Sequence, residues 1–453
     1  MPENRPKESV AVVGGGISGI AAAIELAKSG RFEVTIFEKE AKLGGLSSSH
    51  EWQDLICDRF YHVILPSDHH LLGFIKELGL EEKIFWQETK SGFYGEKRLV
   101  SFSSSLDFIR FPFLSLWQKF RLGTGILRSV RLQDPQKIDG ILARDWLIKV
   151  FGRRVYANFW EPLLRSKFGA AKSRVSSTFI WATIHRLYGA RSSSRKQEKM
   201  GQVRGGYHII LRAAEKRLSE LNVKIRTGAE VSRARYDGKE SEASRPNERV
   251  FLSTEAGDFR FNKVLFTVPS PLIFRILDDS LDQDYWQKLK GTQYLGVICV
   301  LLILGRKLSP YYLINLLDQE LPFTGIIETT NILSPDDIHN GHLVYLPRYL
   351  TEDDPINDFS DDQIRRLFLA GLRRVFPDLG NEEILHVKVF REKYVQPLPG
   401  LGSLKNMPTY RTPLANVFLA NSSLIRSSTL NNNAAVQIAQ EAAQTILADI
   451  MRD

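Results

Sequence analysis

Three glycines spaced as Gly14-x-Gly16-x-x-Gly19, with Glu38 standing 24 residues after the first, are the residues of this chain whose types and spacing suggest chemistry. That chemistry is the holding of phosphate and ribose. Glycine at 14 permits a sharp turn, glycine at 16 lets the backbone approach a pyrophosphate, and glycine at 19 lets a helix pack closely on a strand. The free amides at the helix start, around Ser18, would face phosphate charge, and the Glu38 carboxylate would accept hydrogen bonds from a ribose hydroxyl. The spacing has this meaning only on the right scaffold. The apolar run 10–13 reads as a buried parallel strand, 20–28 as a helix, and 33–37 as a second strand ending at Glu38. Strand, turn, helix, strand and terminal acid together predict a dinucleotide site.

After Glu38 the chain continues Lys39-Glu40-Ala41-Lys42-Leu43-Gly44-Gly45-Leu46-Ser47. Here it resembles the flavoprotein superfamily of amine oxidases, protoporphyrinogen oxidases and phytoene desaturases, in which an acid, a basic residue and a Gly-Gly pair continue the flavin site. The resemblance implies FAD as the cofactor, with Lys39, Gly44, Gly45 and Leu46 in its site. It also implies an α/β fold, a Rossmann-type FAD-binding domain with an inserted α+β substrate domain. On that basis residues 1–92, 201–290 and 406–453 are expected to form the FAD-binding domain. Residues 93–200 would supply the helical part of the substrate domain and 291–405 its sheet.

Further positions follow from the same resemblance. The turn at Gly205-Gly206 precedes a helix and a strand-turn whose last valine, Val231, is expected against the cofactor. A strand within 261–269 closes the nucleotide sheet. At the C-terminal end, 415–422 implies a strand rising to the flavin, and a helix over about 434–451 points its amides at the cofactor, with Asn421 and Asn433 as the site residues. Many members have Gly-Asp where this chain has Asn421-Ser422, so Asn421 retains a donor but brings no charge. In Asp58-Arg59-Phe60-Tyr61-His62, Phe60 stands where the superfamily usually has glycine. Tyr61 and His62 are the expected contacts of the flavin's reactive ring; the alternative for His62 is a loop histidine paired with backbone.

A length of 453 residues exceeds what one hydrophobic core usually serves, which favours two domains. Cys57 and Cys299 have no CxxC or Cys/His spacing around them, so neither a disulfide framework nor a zinc site is expected. A reducing, cytoplasmic setting is the simplest expectation. The first nine residues are polar and charged, so no signal peptide is expected, and no window approaches the ~20 apolar residues of a spanning helix. The formal net charge of +9 favours anionic partners, and two cofactor phosphates would offset part of it. The partner expected is a small hydrophobic molecule, with no nucleic acid.

Residues 106–122 mix aromatics with cations. They suit either the core of the substrate domain, the preferred reading, or a peripheral membrane contact with the apolar side down. Residues 94–98 read as a hairpin turn, 191–199 as a solvated basic loop and 237–248 as a loose hairpin. Three functions are weighed. The leading one is an FAD-dependent oxidoreductase that dehydrogenates a hydrophobic or conjugated substrate, the flavin carrying the redox chemistry while the protein positions a bond against it. A second is a flavoenzyme like UDP-galactopyranose mutase, isomerising a nucleotide sugar, for which Arg165, Arg186 and Arg348 are available cations. A third is a non-catalytic FAD-binding protein.

Overall fold

The computed structural model describes residues 7–189, 199–236, 250–277, 283–333, 338, 340–425 and 429–450. The basic loop and the loose hairpin expected from sequence lie outside these residues, apart from Lys199. The first sheet is parallel and five-stranded, in the order Val417–Leu419, Lys263–Phe266, Glu8–Val13, Phe32–Phe37, Lys224–Arg226. Its strands come from three stretches of chain far apart in sequence.

The short apolar runs become strands because both faces are covered. Val10, Val12, Leu265 and Phe418 face a layer of helices, Ile17–Lys28, His69–Glu77, Tyr207–Glu220 and Asn432–Ile450. Ala11, Val13, Val264 and Phe266 face the other way, onto a three-stranded antiparallel sheet of Arg233–Tyr236, Val250–Thr254 and Gly257–Phe261. Two-sided burial of this kind removes the polar alternation of a surface strand.

A seven-stranded sheet forms the second body, in the order Ile384–Pro397, Tyr294–Leu304, His342–Leu350, Gly325–Glu328, Leu313–Leu316, Ser91–Gly95, Arg98–Ser101. Ile298, Val300 and Leu302 turn toward the helix Asp361–Val375, which buries Ile364, Phe368 and Leu372 against them. Val297, Cys299 and Leu301 turn the other way, onto Leu55, Cys57 and Phe60. The segment after Asp58 is therefore clamped between the seven-stranded sheet and the parallel sheet's body. The expected turn at 94–98 is a tight hairpin with Glu96 and Lys97 both at positive φ.

The helical part packs around Leu122, Trp146, Phe151, Trp160, Phe168 and Phe179. Residues 106–122 prove to be two helical pieces. Ser105–Arg110 and Leu116–Arg131 flank an extended break at Phe111-Pro112, and Ser104 and Ser115 each open a helix with a capping box. Phe111, Leu114 and Leu122 are buried, while Leu116 is 77%, Trp117 64% and Phe120 60% exposed. The core reading thus holds for Phe111, Leu114 and Leu122, while Leu116, Trp117 and Phe120 stand on the surface.

Candidate active site

The glycine turn shows three different reasons for three glycines. Gly14 has φ +114°, where a side chain is strained, and a Cβ there would stand 2.5 Å from Thr267 Oγ1. A Cβ at Gly19 would lie 1.9 Å from the Gly14 carbonyl oxygen, so the helix can approach the turn only without one. At Gly16 the chain itself demands nothing: φ is −74°, and a Cβ would meet only Gly45 Cα, 4.0 Å away. The bare Cα there leaves room above the first turn of Ile17–Lys28, whose N-cap offers no side-chain hydrogen bond and whose first turn carries no acid. Uncapped amides and open space are what an anionic phosphate group requires.

The second glycine pair completes this surface. Gly44 N–H donates to the Gly15 carbonyl at 2.8 Å and forms an isolated parallel bridge with Gly16. Gly45 is exposed beside it, and the Leu46 side chain packs back onto the cluster around Phe60 and Tyr345. Glu38 is buried, its carboxylate accepting from Gly15 N–H at 2.6 Å and Glu40 N–H at 2.9 Å. The end of the second strand is thereby pinned to the turn. Val231 is buried on the far side, and Ala229 N–H donates to the Glu38 carbonyl. Lys39 lies apart from this group, 57% exposed and paired with Glu40 at 3.5 Å.

The C-terminal elements close on the same place. Ser18 Oγ donates to the Ala435 carbonyl at 3.2 Å, joining the first turns of Ile17–Lys28 and Asn432–Ile450. Ser47 Oγ reaches Asn432 Oδ1 at 3.1 Å, and Asn433 Oδ1 accepts from Leu71 N–H. The carboxamide of Asn421 is fully spent inside the protein. Its Nδ2 donates to the Val268 carbonyl and Ser270 Oγ, and its Oδ1 accepts from Ser423 N–H and Oγ. It holds two loops together and has no donor to spare, unlike the sequence expectation.

Tyr61 and His62 follow Asp58 along the clamped segment. Asp58 accepts from Tyr207 N–H at 3.1 Å, and its carbonyl accepts from Tyr345 Oη at 2.6 Å. Burial pushes the Asp58 carboxyl up to about 7, against the pull of the Tyr207 amide. Tyr61 Oη shares a 3.1 Å hydrogen bond with Tyr349 Oη. The His62 ring lies 4.6 Å from that of Tyr207, its Nδ1 enclosed without a well-formed partner, and burial lowers its pKa to about 4. His62 is therefore a neutral imidazole at neutral pH, and its hydrogen bond to the Phe60 backbone is the contact that the loop-histidine alternative expects.

A cavity of about 740 Å³ opens where the substrate elements meet the C-terminal segment. Leu142, Phe179 and Ala182 line it from the helical part, Pro397 and Leu398 from the end of the long strand, and Ser422 and Ser423 from beyond Asn421. This volume lies within the range of small-molecule sites. No pattern of neighbouring residues announces it, because its walls come from six segments.

A family model described as flavin containing amine oxidoreductase matches residues 17–447. The chain belongs to that family. Among curated proteins it is 35% identical over 117 residues to the mitochondrial protoporphyrinogen oxidase of Nicotiana tabacum, a stretch covering 25% of this chain and 23% of that protein. It is 47% identical over 83 residues to the tryptophan 2-monooxygenase of Agrobacterium tumefaciens (strain Ach5), 18% of this chain and 11% of that protein. The matched stretches thus span less than a quarter of these relatives. Among solved structures, an oxidoreductase from Methanosarcina mazei aligns with TM-score 0.74 at 15% identity, over 97% of this chain and 100% of the other. Putrescine oxidase bound to putrescine aligns with TM-score 0.72 at 17% identity, over 98% and 99%. These likenesses establish the fold, a Rossmann-type FAD-binding body joined to a substrate body. The family's cofactor is FAD, and the protein is an FAD-dependent oxidoreductase. The open face of Gly16, the uncapped helix start and the buried Glu38 fit that cofactor.

Proposed function

We propose that this oxidoreductase dehydrogenates a hydrophobic or conjugated substrate admitted to the 740 Å³ cavity. Gly14, Gly16, Ser18, Gly19, Glu38, Gly44, Gly45, Leu46, Val231 and Asn433 form the FAD cradle, and Asn421 supports it from behind. Tyr61 and His62 lie on the ring side. Bound FAD supplies the two-electron acceptor. The chain's own residues orient the substrate and exclude water, and Tyr61 with Tyr349 offers a hydroxyl pair able to pass a proton. The observation that carries the reading is the cavity, whose apolar wall of Leu142, Phe179, Ala182 and Leu398 faces a polar one that includes Arg174, Asp284 and Lys288, and which Ser422 and Ser423 of the C-terminal segment border.

A nucleotide sugar is disfavoured by the fate of the three arginines that would bind it. Arg165 pairs with Glu161, Arg186 with Asp68 at 3.3 Å, and Arg348 with Asp354 at 3.0 Å. Each already pairs with an acid, Arg165 sharing Glu161 with Lys172. The test is anaerobic mixing of the flavin-loaded protein with a reduced tetrapyrrole, a hydroxylated isoprenoid and an aralkyl amine. Bleaching of the visible flavin band by one of them is expected; a flavin left oxidised by all three counts against the reading.

Peripheral membrane contact belongs to the same proposal. No helix among the described residues is long and apolar enough to cross a membrane. However, Ile109, Leu116, Trp117 and Phe120 are exposed together, Trp117 stacks on Phe120 at 5.5 Å, and Arg110, Lys119 and Arg128 flank them. Full burial of one such side chain in an interface contributes about 1.5–3 kcal/mol, and each nearby cation about 1 kcal/mol on an anionic surface. The protein should sediment with anionic liposomes at low salt and less at high salt. Protein left in the supernatant at both would remove the membrane from the account.

A further inference from the structure

The charged residues of the 740 Å³ cavity are unevenly matched. Among the described residues that line it, Arg174 and Lys288 are the cations and Asp284 is the carboxylate. Arg174 ends the short helical turn Gly169–Arg174, and the chain after it is fixed. Val175 is fully buried, and Ser176 N–H donates at 2.7 Å to the carbonyl of Pro399, another wall residue. The Arg174 guanidinium donates through Nη1 to Gln293 Oε1, also in the wall, at 3.1 Å. Asp353 lies near enough for the Arg174 charge to favour its ionised form, without forming an ion pair. Lys288 stands on the exposed face of the helix Gln283–Lys290, one turn after Asp284. Tyr285 and Leu289 bury the other face, and Tyr285 Oη donates to the Thr409 carbonyl at 3.0 Å, which holds the helix in place. Among the described residues neither Arg174 nor Lys288 forms an ion pair. The lining thus carries one positive charge more than it cancels, opposite an apolar wall. Such a cavity favours an apolar body with a single negative charge and opposes an ammonium. A guanidinium with N–H groups to spare can take a carboxylate through two parallel hydrogen bonds.

We infer that Arg174 and Lys288 receive the carboxylate of the substrate, so that the molecule oxidised is an amphipathic monoacid and not an amine. The inference rests on the reading that this cavity is the substrate's. The apolar wall then takes the body of the molecule, and the two cations fix which end lies against them. Both cations are exposed, so solvent screens them and the selection depends on salt.

The experiment uses the flavin-loaded protein and three probes built on one ring system, naphthylacetate, naphthylacetamide and naphthylethylamine, titrated by calorimetry at low and high salt. At low salt the parent should bind the acid roughly three- to tenfold more tightly than the amide, the ratio that two screened charges supply, and should bind the amine most weakly. High salt should shrink the acid's advantage and leave the amide's affinity unchanged. Arg174→Gln and Lys288→Gln should each remove part of the advantage, and the double variant all of it. An unchanged visible flavin spectrum before titration shows that each variant is folded. An amide or amine bound as tightly as the acid by the parent, no saturable binding of the acid, or an advantage that survives in the double variant would each overturn the inference. Because the readout is binding, it separates from the redox reading. Preference for the acid without bleaching by any substrate would defeat the proposed function and leave the cationic wall standing. Bleaching by the aralkyl amine or the isoprenoid, with no preference for the acid, would do the reverse.

Discussion

The two halves of this molecule meet the demands of chemistry in opposite ways. In the cofactor half the constraint lies in residue type, because a Cβ at 19 would sit 1.9 Å from a carbonyl oxygen and no neighbouring side chain could substitute for its absence. In the substrate half the constraint lies in juxtaposition. Leu142, Phe179, Pro397 and Ser422 are ordinary residues on separate elements, and only their meeting encloses the cavity. A site of the first kind is confined to one strand, turn and helix and tolerates little substitution. A site of the second kind can change its ligand through one side chain while its scaffold stays intact, which suits a fold that carries many reactions.

The sharpest way to break this comparison is at the glycines. Gly19→Ala should cost the protein its fold or its flavin altogether, since backbone must move to admit the methyl group. Gly16→Ala should leave the melting temperature of the flavin-free protein unchanged, because its Cβ meets only Gly45 Cα at 4.0 Å, yet should weaken FAD binding. Equal damage by the two substitutions, read by thermal melting and flavin retention, would show that Gly16 serves packing and not the cofactor. Glu38→Ala comes next in size. Loss of a charged hydrogen bond to ribose is worth about 1.5–3 kcal/mol, roughly ten- to a hundredfold in FAD affinity. Glu38→Gln should lose less, since an amide oxygen can still accept from Gly15 N–H, and unchanged flavin retention in Glu38→Ala would take Glu38 out of the cradle.

The same contrast explains what could be read before the structure. The run 10–13, the helix read over 20–28 and the second strand read over 33–37 were legible because each is a continuous local pattern of apolar residues. The short strand Leu313–Leu316, the strand Ser49–Trp52 that pairs with Leu55–Asp58 and the helix Gln283–Lys290 escaped, being short or mostly polar and formed by their surroundings. At 106–122 the pattern was strong but its meaning was not local. Pro112 breaks it, and burial by Phe93, Trp146 and Phe151 decides which aromatics go inside. Arg186 misled for the same reason, since Asp68 lies 118 residues away and no local signal pairs them, whereas the four-residue spacing of Arg165 and Glu161 on one helix was there to be read.

The smallest effect expected lies at the seam between the halves, in Asp58 and His62. The Asp58 carboxyl, raised by burial from 3.8 to about 7, binds its proton more tightly in the folded protein, so its contribution to stability falls as pH rises from about 4 to about 7. The His62 imidazole, lowered by burial from 6.5 to about 4, binds its proton less tightly in the folded protein, so its contribution rises as pH climbs from about 4 to about 6.5. The Asp58 limb spans about 4 kcal/mol at most and the His62 limb about 3 kcal/mol, and over the shared window the two oppose each other. Removing either should therefore expose the other. Measured by urea unfolding, the stability of Asp58→Asn relative to the parent should increase from pH 4 to pH 7, and that of His62→Gln should decrease from pH 4 to pH 6.5. Asparagine keeps an oxygen for Tyr207 N–H, so the Asp58→Asn difference reports the buried charge and not a lost hydrogen bond. Differences that stay flat with pH in both variants would mean that the seam is wet, with Asp58 and His62 titrating as surface groups, and that the boundary between the halves is looser than the packing of Cys57, Phe60 and Tyr345 implies.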